Sequence, residues 1–325
     1  MENNQNQRKM GNSDLMVTPI GLGTWQFSKR KNLAGKYWPY LSDEESYEIV
    51  QTSFEEGINW FDTAEMYGGG ESERTLARAL KKANISDEEV MVATKWMPLF
   101  RTARSIIKTL PDRREALKGY TISLHQIHNP ISFASIPSQM KAMAKLVREE
   151  QIRYVGVSNF SAKQMKRAYE ELDKQGLKLV SNQVHYNMLN RRIEYNGILE
   201  TARKLNMSII AYSPLAQGIL TGKYHDQPNS IKAKQGFRKR IGAFKSKSLE
   251  RTRPLIEKLR EIGENHDASA AQVALNWLVN HHQGLVFAIP GASNPRQAAS
   301  NARSMKFTLT PEEMQALDQQ SKRLA

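Results

Sequence analysis

The chain has no cysteine among its 325 residues, which rules out a disulfide framework, a thiolate zinc site and a catalytic thiol. It also lacks any run approaching the roughly 18 apolar residues that a membrane-spanning helix needs. The expectation is a soluble protein with no membrane partner. The opening residues, Met1-Glu2-Asn3-Asn4-Gln5-Asn6-Gln7, have neither the apolar core of a secretory signal nor the Arg/Ser-rich amphipathic character of a transit peptide, so a cytoplasmic address is the default. No G-x-G-x-x-G follows an early strand. Gly21-Leu22-Gly23 lacks the third glycine, and Gly68-Gly69-Gly70 has the wrong spacing. An open doubly wound sheet would therefore lack its usual phosphate site.

Acidic residues are in deficit, 33 Asp and Glu against 47 Lys and Arg, for a net charge of +14. A basic surface attracts phosphates whatever molecule carries them. The densest basic stretch, Lys223 to Arg253, holds Lys232, Lys234, Arg238, Lys239, Arg240, Lys245, Lys247 and Arg251 against Asp226 and Glu250. It reads either as a solvated basic loop or as a lid. It carries no aromatic-interleaved basic motif or reading helix, so no nucleic-acid partner is expected.

What the sequence does contain is alternation. Short apolar, β-branched segments at Val17–Leu22, Asn59–Thr63, Val90–Lys95, Ile122–His128, Tyr154–Ser158, Ser181–His185, Ser208–Ser213 and Leu285–Pro290 read as eight strands. Between them lie stretches of helical period: Asp43–Glu56, Ser72–Lys82, an irregular one near Ala103–Leu117, Pro137–Glu150, Ala162–Gln175, Ile193–Leu205, Pro254–Asn280 and Pro295–Ala302. Ser42, Ser161 and Asn294-Pro295 are start signals, and Gly57, Gly176 and Gly284 stand where helices should stop. Such βα units make a parallel sheet. The expected fold is α/β, a parallel (β/α)8 TIM barrel in one domain, residues 1–325. A hairpin around Gly11-Asn12-Ser13-Asp14 should plug one end, and Pro311–Leu324 adds a C-terminal helix.

Chemistry in such a barrel sits at the C-terminal ends of the strands. Those ends carry Asp62, Lys95, His128, Ser158 with Asn159, Gln183 and Ser213. Singly, each has a structural explanation: Asp62 as a turn cap, Lys95 as a solvated strand end, His128 as a strand terminator before Asn129-Pro130. Together, one polar group per unit converging on one mouth points to function. A tyrosine donates a proton to a carbonyl oxygen near neutral pH if its pKa, about 10, is pulled down. A nearby ammonium does this, and a carboxylate keeps that ammonium charged when buried. Asp62, Lys95 and Tyr67 supply the three parts, and His128 can orient the carbonyl oxygen.

The segment Trp60-Phe61-Asp62-Thr63-Ala64-Glu65-Met66-Tyr67-Gly68, followed by Glu71-Ser72-Glu73, resembles the aldo-keto reductase signature. Ala93-Thr94-Lys95 and Gln126-Ile127-His128 resemble the next two motifs, and the likeness runs from Gly21-Leu22-Gly23-Thr24 to Pro290-Gly291-Ala292-Ser293. The resemblance implies a catalytic tetrad of Tyr67, Lys95, Asp62 and His128, with NADPH as cofactor. Ser158, Asn159 and Gln183 would hold the nicotinamide carboxamide, Tyr212 would stack on the ring, and Gly23, Thr24 and Trp25 would be further cofactor contacts. Ser213, Pro214, Leu215, Gln217, Gly218 and Lys223 would wrap the pyrophosphate, and Gly291, Ser293, Arg296, Gln297 and Asn301 the adenosine end. Arg296 is the candidate for the 2′-phosphate. Ser300 stands where many relatives have an acidic residue, and Ser123 where the family usually has Asp.

Substrate walls are expected from Trp25, Trp38, Trp96, Met97, Asn129 and Tyr186, with the Lys29–Tyr40 insertion closing over them. The implied reaction is reduction of a small aldehyde or ketone by hydride transfer, without a metal. A cofactor-binding auxiliary or regulatory subunit is the alternative, and the sequence does not fix an oligomeric state.

Overall fold

The computed structural model describes residues 7–29, 38–227 and 244–324. Tyr37 and the basic residues Lys232, Lys234, Arg238, Lys239 and Arg240 lie outside them.

Strands β1 (Arg8–Lys9) and β2 (Met16–Val17) form an antiparallel hairpin. Eight parallel strands follow: β3 (Leu22–Gly23), β4 (Trp60–Asp62), β5 (Met91–Trp96), β6 (Ile122–Ile127), β7 (Tyr154–Ser158), β8 (Leu179–His185), β9 (Ser208–Tyr212) and β10 (Val286–Ala288). Each pairs with its neighbour in sequence order from β3 to β10. The two ends also meet. Gly21 N donates to Ala288 O at 2.9 Å, Ala288 N to Pro19 O at 2.9 Å and Gly23 N to Pro290 O at 3.1 Å. This is the (β/α)8 barrel that the alternation predicts.

The outer layer is α1 (Asp43–Glu55), α2 (Glu71–Lys82), α3 (Arg104–Ala116), α4 (Ile136–Arg148), α5 (Ala162–Asp173), α6 (Ile198–Lys204), the single turn α7 (Lys223–Asp226), α8 (Ser246–Asn265), α9 (Ala270–Asn280) and α10 (Pro295–Arg303). The added C-terminal helix is α11 (Pro311–Lys322). Side-chain caps set several starts, each satisfying a backbone donor that the first turn leaves open. Ser42 and Glu45 bond reciprocally at the head of α1, as Ser161 and Gln164 do at α5. Asn294 accepts from Gln297 N, with Pro295 in the first turn of α10.

Four expectations are corrected. Val17–Leu22 is not one strand. Pro19 has no N–H to give, so the segment divides between β2, in the hairpin, and β3, in the barrel. Pro254–Asn280 is two helices. The break falls at Asp267, with φ 48°, and Ser269 caps the restart on Gln272. Ile193–Leu205 is a 3-10 turn, Arg192–Glu194, and then α6 after Gly197 at φ 82°. Finally, Lys223–Arg253 is not loop throughout, because both of its described ends are helical in α7 and α8.

Inside the barrel, residues alternate between the axis and the helices. At the N-terminal ends of the strands, Trp60, Met91, Leu124, Val180 and Ile210 pack against Met10, Leu15 and Val17 of the hairpin. The hairpin plugs that end. Gly11 makes this possible, since at φ 51° a Cβ there would sit 2.4 Å from Val180 O. With the lower half filled by apolar side chains, the polar residues on the same strands are left to the upper mouth.

Candidate active site

Asp62 ends β4 and Lys95 lies near the end of β5, both facing the axis and both within 1% of full burial. Lys95 Nζ donates to Asp62 Oδ1 at 2.5 Å, to Thr63 O at 2.8 Å and to Tyr67 OH at 3.5 Å. The other Asp62 oxygen accepts from Gln183 Nε2 at 2.9 Å and Gln126 Nε2 at 3.1 Å. Every polar atom of this buried pair is thereby met by a partner, the condition under which a buried charge pair is tolerated. Burial alone would push the Lys95 ammonium down. Asp62, and after it Tyr67, offset this and hold it above its ordinary value.

Tyr67 sits in the loop after β4, its ring stacked on Trp25 at 5.8 Å and edge-on to His128 at 5.7 Å. Here an expectation is overturned. Burial pushes the Tyr67 phenol up; Lys95 pulls against it, but Asp62 adds to the rise and the balance lies above the ordinary value. The ammonium does lower the phenol, but burial outweighs it, and Asp62 adds to the rise. His128 is held neutral, its pKa lowered to about 3 by burial and by Lys95, and its buried Nδ1 has no hydrogen-bond partner among the described residues.

Around this centre the mouth brings together the residues that end β7, β8 and β9. Ser158 Oγ donates to Gln183 O at 2.9 Å, and Asn159 Nδ2 reaches Ser158 Oγ at 3.1 Å. Tyr212 OH donates to Asn159 Oδ1 at 3.0 Å. Asn159, at φ 60°, has the left-handed conformation that asparagine tolerates well. Further out, Ser213, Ala216, Gln217 and Gly218 all have positive φ, so the chain kinks sharply before Lys223, which is exposed. Pro214 is buried there and Leu215 half-buried. Across the mouth, Ser293 N donates to Gln297 Oε1, and Asn301 is buried with its Nδ2 3.4 Å from Gly291 O. Arg296 is exposed in the first turn of α10, without an ion-pair partner among the described residues.

Three assignments need revising. Trp96 is not a mouth residue. Next to inward-facing Lys95 it must face outward, and it is 1% exposed, with its Nε1 donating to Ser105 of α3 at 3.1 Å. Tyr186, likewise, is fully buried outside the barrel, donating to Glu194 at 2.5 Å. The Thr24 side chain is engaged with Asp62 O and Ser72 Oγ, both at 2.9 Å, and braces β4 without reaching the mouth. Gly23 fits closely beside β10, where a Cβ would meet Ile289 O at 2.8 Å. Trp25, Trp38, Met97 and Asn129 are half-buried, with Trp38 edge-on to Trp25 at 5.7 Å.

Two participants were missed. Gln126 holds Asp62, and its signal was the two-residue period that places it on the same face as His128. His185 lies parallel to Tyr212 at 5.4 Å, its strand partner across β8 and β9. Glu194, His281 and His282 also cluster, but Arg191 is already among them, 2.7 Å from Glu194 and from Asp318.

Residues 19–322 match the model of the Aldo/keto reductase family. The chain belongs to this family of oxidoreductases. It is 35% identical over 306 residues to an uncharacterised oxidoreductase of Mycobacterium tuberculosis, covering 93% of this chain and 88% of that one. It is 30% identical over 328 residues to the chloroplastic pyridoxal reductase of Arabidopsis thaliana, covering 97% and 85%. Among solved structures it is similar to a glycerol dehydrogenase of Gluconobacter oxydans, with TM-score 0.84 and 28% identity over 98% of this chain and 96% of that one. No helix among the described residues is long and apolar enough to cross a membrane.

Proposed function

We propose that this aldo/keto reductase reduces an aldehyde or ketone to an alcohol with NADPH, Tyr67 acting as the general acid. The observation that carries the reading is the buried line Asp62–Lys95–Tyr67, closed on its open side by neutral His128. A phenol kept protonated is a proton reservoir, and an ammonium 3.5 Å away stabilises the phenolate as the proton leaves. Asp62 keeps that ammonium charged, and Gln126 and Gln183 hold Asp62. Neutral His128 can donate one hydrogen bond to the carbonyl oxygen without adding a charge.

The residues present suit a nicotinamide dinucleotide. Asn159 and Ser158 place an amide and a hydroxyl group beside the Tyr212 ring, Gln183 lies on β8 with its amide nitrogen on Asp62, and the positive-φ kink at Ala216–Gly218 with Lys223 offers a tight backbone turn near a cation. Arg296 and Gln297 at the head of α10 suit the adenosine phosphate. When bound, the cofactor supplies the hydride. Trp25, Trp38, Met97 and Asn129 form the substrate walls, and the pyridoxal reductase relative agrees with an aldehyde or ketone class.

Consumption of NADPH should be followed across a panel of aldehydes and ketones, with NADH as control. Tyr67→Phe should lose about 10²- to 10⁴-fold in kcat while still binding NADPH. Normal turnover by this variant would end the proposal.

A further inference from the structure

Tyr67 lies on a loop that contains Gly68, Gly69 and Gly70, all at positive φ. Such a segment has little stiffness of its own, yet a general acid must be held within a few tenths of an ångström of its working position. Something outside the loop must hold it. One side chain placed to do so comes from α3. Arg113 is 9% exposed and reaches Glu65 Oε2 at 3.4 Å and Glu73 Oε2 at 3.2 Å. These two carboxylates bracket Tyr67, one before it and one after. Between them the guanidinium passes so close to the loop that a Cβ on Gly70 would lie 3.1 Å from Arg113 Nη2.

Both carboxylates are tied down a second time. Glu65 Oε1 accepts from Met97 N at 2.6 Å and from Arg101, and Gly70 N donates back to Glu65 O at 2.8 Å. Glu73 Oε1 accepts from Thr94 Oγ1, beside Lys95, at 2.5 Å. The bracket is thus fastened to the strand that carries Lys95.

We infer that Arg113 is a positioning residue for the reaction, clamping Glu65 to Glu73 so that the intervening loop holds Tyr67 against Lys95 and His128. The inference rests on the reductase reading for its kinetic consequence, but not for its structural one. Arg113 touches none of the reacting groups. It acts by closing the loop that bears one of them, and so it should govern kcat and not the binding of cofactor.

The test uses the full chain with Arg113→Met, which keeps the apolar stem, Arg113→Lys, which restores a cation, and Glu65→Gln as a milder cut at the loop side. Two quantities are read: steady-state kinetics on the best carbonyl substrate, and amide hydrogen exchange over residues 64–72, where Tyr67 N bonds Ala64 O and Ser72 N bonds Tyr67 O. In Arg113→Met, kcat should fall at least tenfold with KM for NADPH within twofold, and exchange over 64–72 should rise at least tenfold with residues 91–96 unchanged. Arg113→Lys should recover part of both. If Arg113→Met does not fold, Glu65→Gln carries the same comparison with smaller expected changes. Exchange that stays within twofold overturns the clamp. So does faster exchange with unchanged kcat in a wild type that turns over. A wild type that oxidises NADPH with no carbonyl defeats the reductase reading instead, and exchange alone then decides whether Arg113 holds the loop.

Discussion

Folding buries the Glu73 carboxyl completely, so its protonation depends on whether the chain is folded. Burial, opposed by Arg113, raises its pKa from 4.5 to about 7. A raised acid favours the folded state in its protonated form. Its contribution is full below the unfolded value near 4.5 and is lost as pH climbs through about 7, a change of about 3 kcal/mol by the usual 1.36 kcal/mol per unit. Glutamine keeps the shape and cannot ionise. Urea unfolding of wild type and Glu73→Gln at pH 5 and pH 8 should therefore diverge, with wild type losing about 3 kcal/mol relative to the variant at the higher pH. An identical pH dependence in both proteins would show that Glu73 does not titrate with folding. The same burial explains what the sequence could not reveal about Tyr67. Its neighbours were legible as Asp, Lys and His at strand ends, but the direction of its shift is set first by how completely the folded chain buries the phenol, which no local pattern states.

At the scale of elements, the barrel was legible because strand and helix periods alternate and because caps such as Ser42 and Asn294 mark the starts. The residues mistaken for pocket walls were misplaced against that same periodicity. If Lys95 faces the axis, Trp96 cannot, and the two-residue period of β5 already said so. The split within Pro254–Asn280 was written in Ser269-Ala270-Ala271-Gln272, a capping box hidden inside a continuous helical period. What no local pattern carries is a close approach between distant segments. The hairpin plug depends on one, since Gly11 faces Val180 O and Ser208 N. Gly11→Ala adds a clash to a left-handed backbone, and should cost about 1–3 kcal/mol in urea unfolding without changing KM for cofactor, because the plug is at the far end from the mouth. At the near end, α10 begins under Asn294 with Arg296 exposed in its first turn, where a bound phosphate would meet both backbone donors and a guanidinium. Arg296→Ala should raise KM for NADPH about tenfold and leave KM for NADH within twofold. Equal effects on the two cofactors would move the phosphate site elsewhere.

The charge of the whole molecule adds something that no single contact provides. A net +14 on 325 residues gives the surface a positive potential, and this is spread over the chain as well as concentrated in the stretch from Lys223 to Arg253. A nicotinamide dinucleotide phosphate is a multivalent anion, whereas an aldehyde or ketone is neutral, so the field should act on one substrate and not on the other. Screening tests this directly, because the Debye length shrinks from about 30 Å at 0.01 M salt to about 3 Å at 1 M. Between 20 mM and 500 mM sodium chloride, kcat/KM for NADPH should fall at least fivefold, while kcat/KM for an uncharged aldehyde measured at saturating NADPH stays within twofold. NADH, which has fewer charges, should lose less than NADPH over the same range. Equal sensitivity of aldehyde and cofactor would mean that salt acts on the chemistry or the fold. A flat response to salt for NADPH would assign its binding to short-range contacts at Lys223 and Arg296, leaving the excess of lysine and arginine without a part in capturing the cofactor.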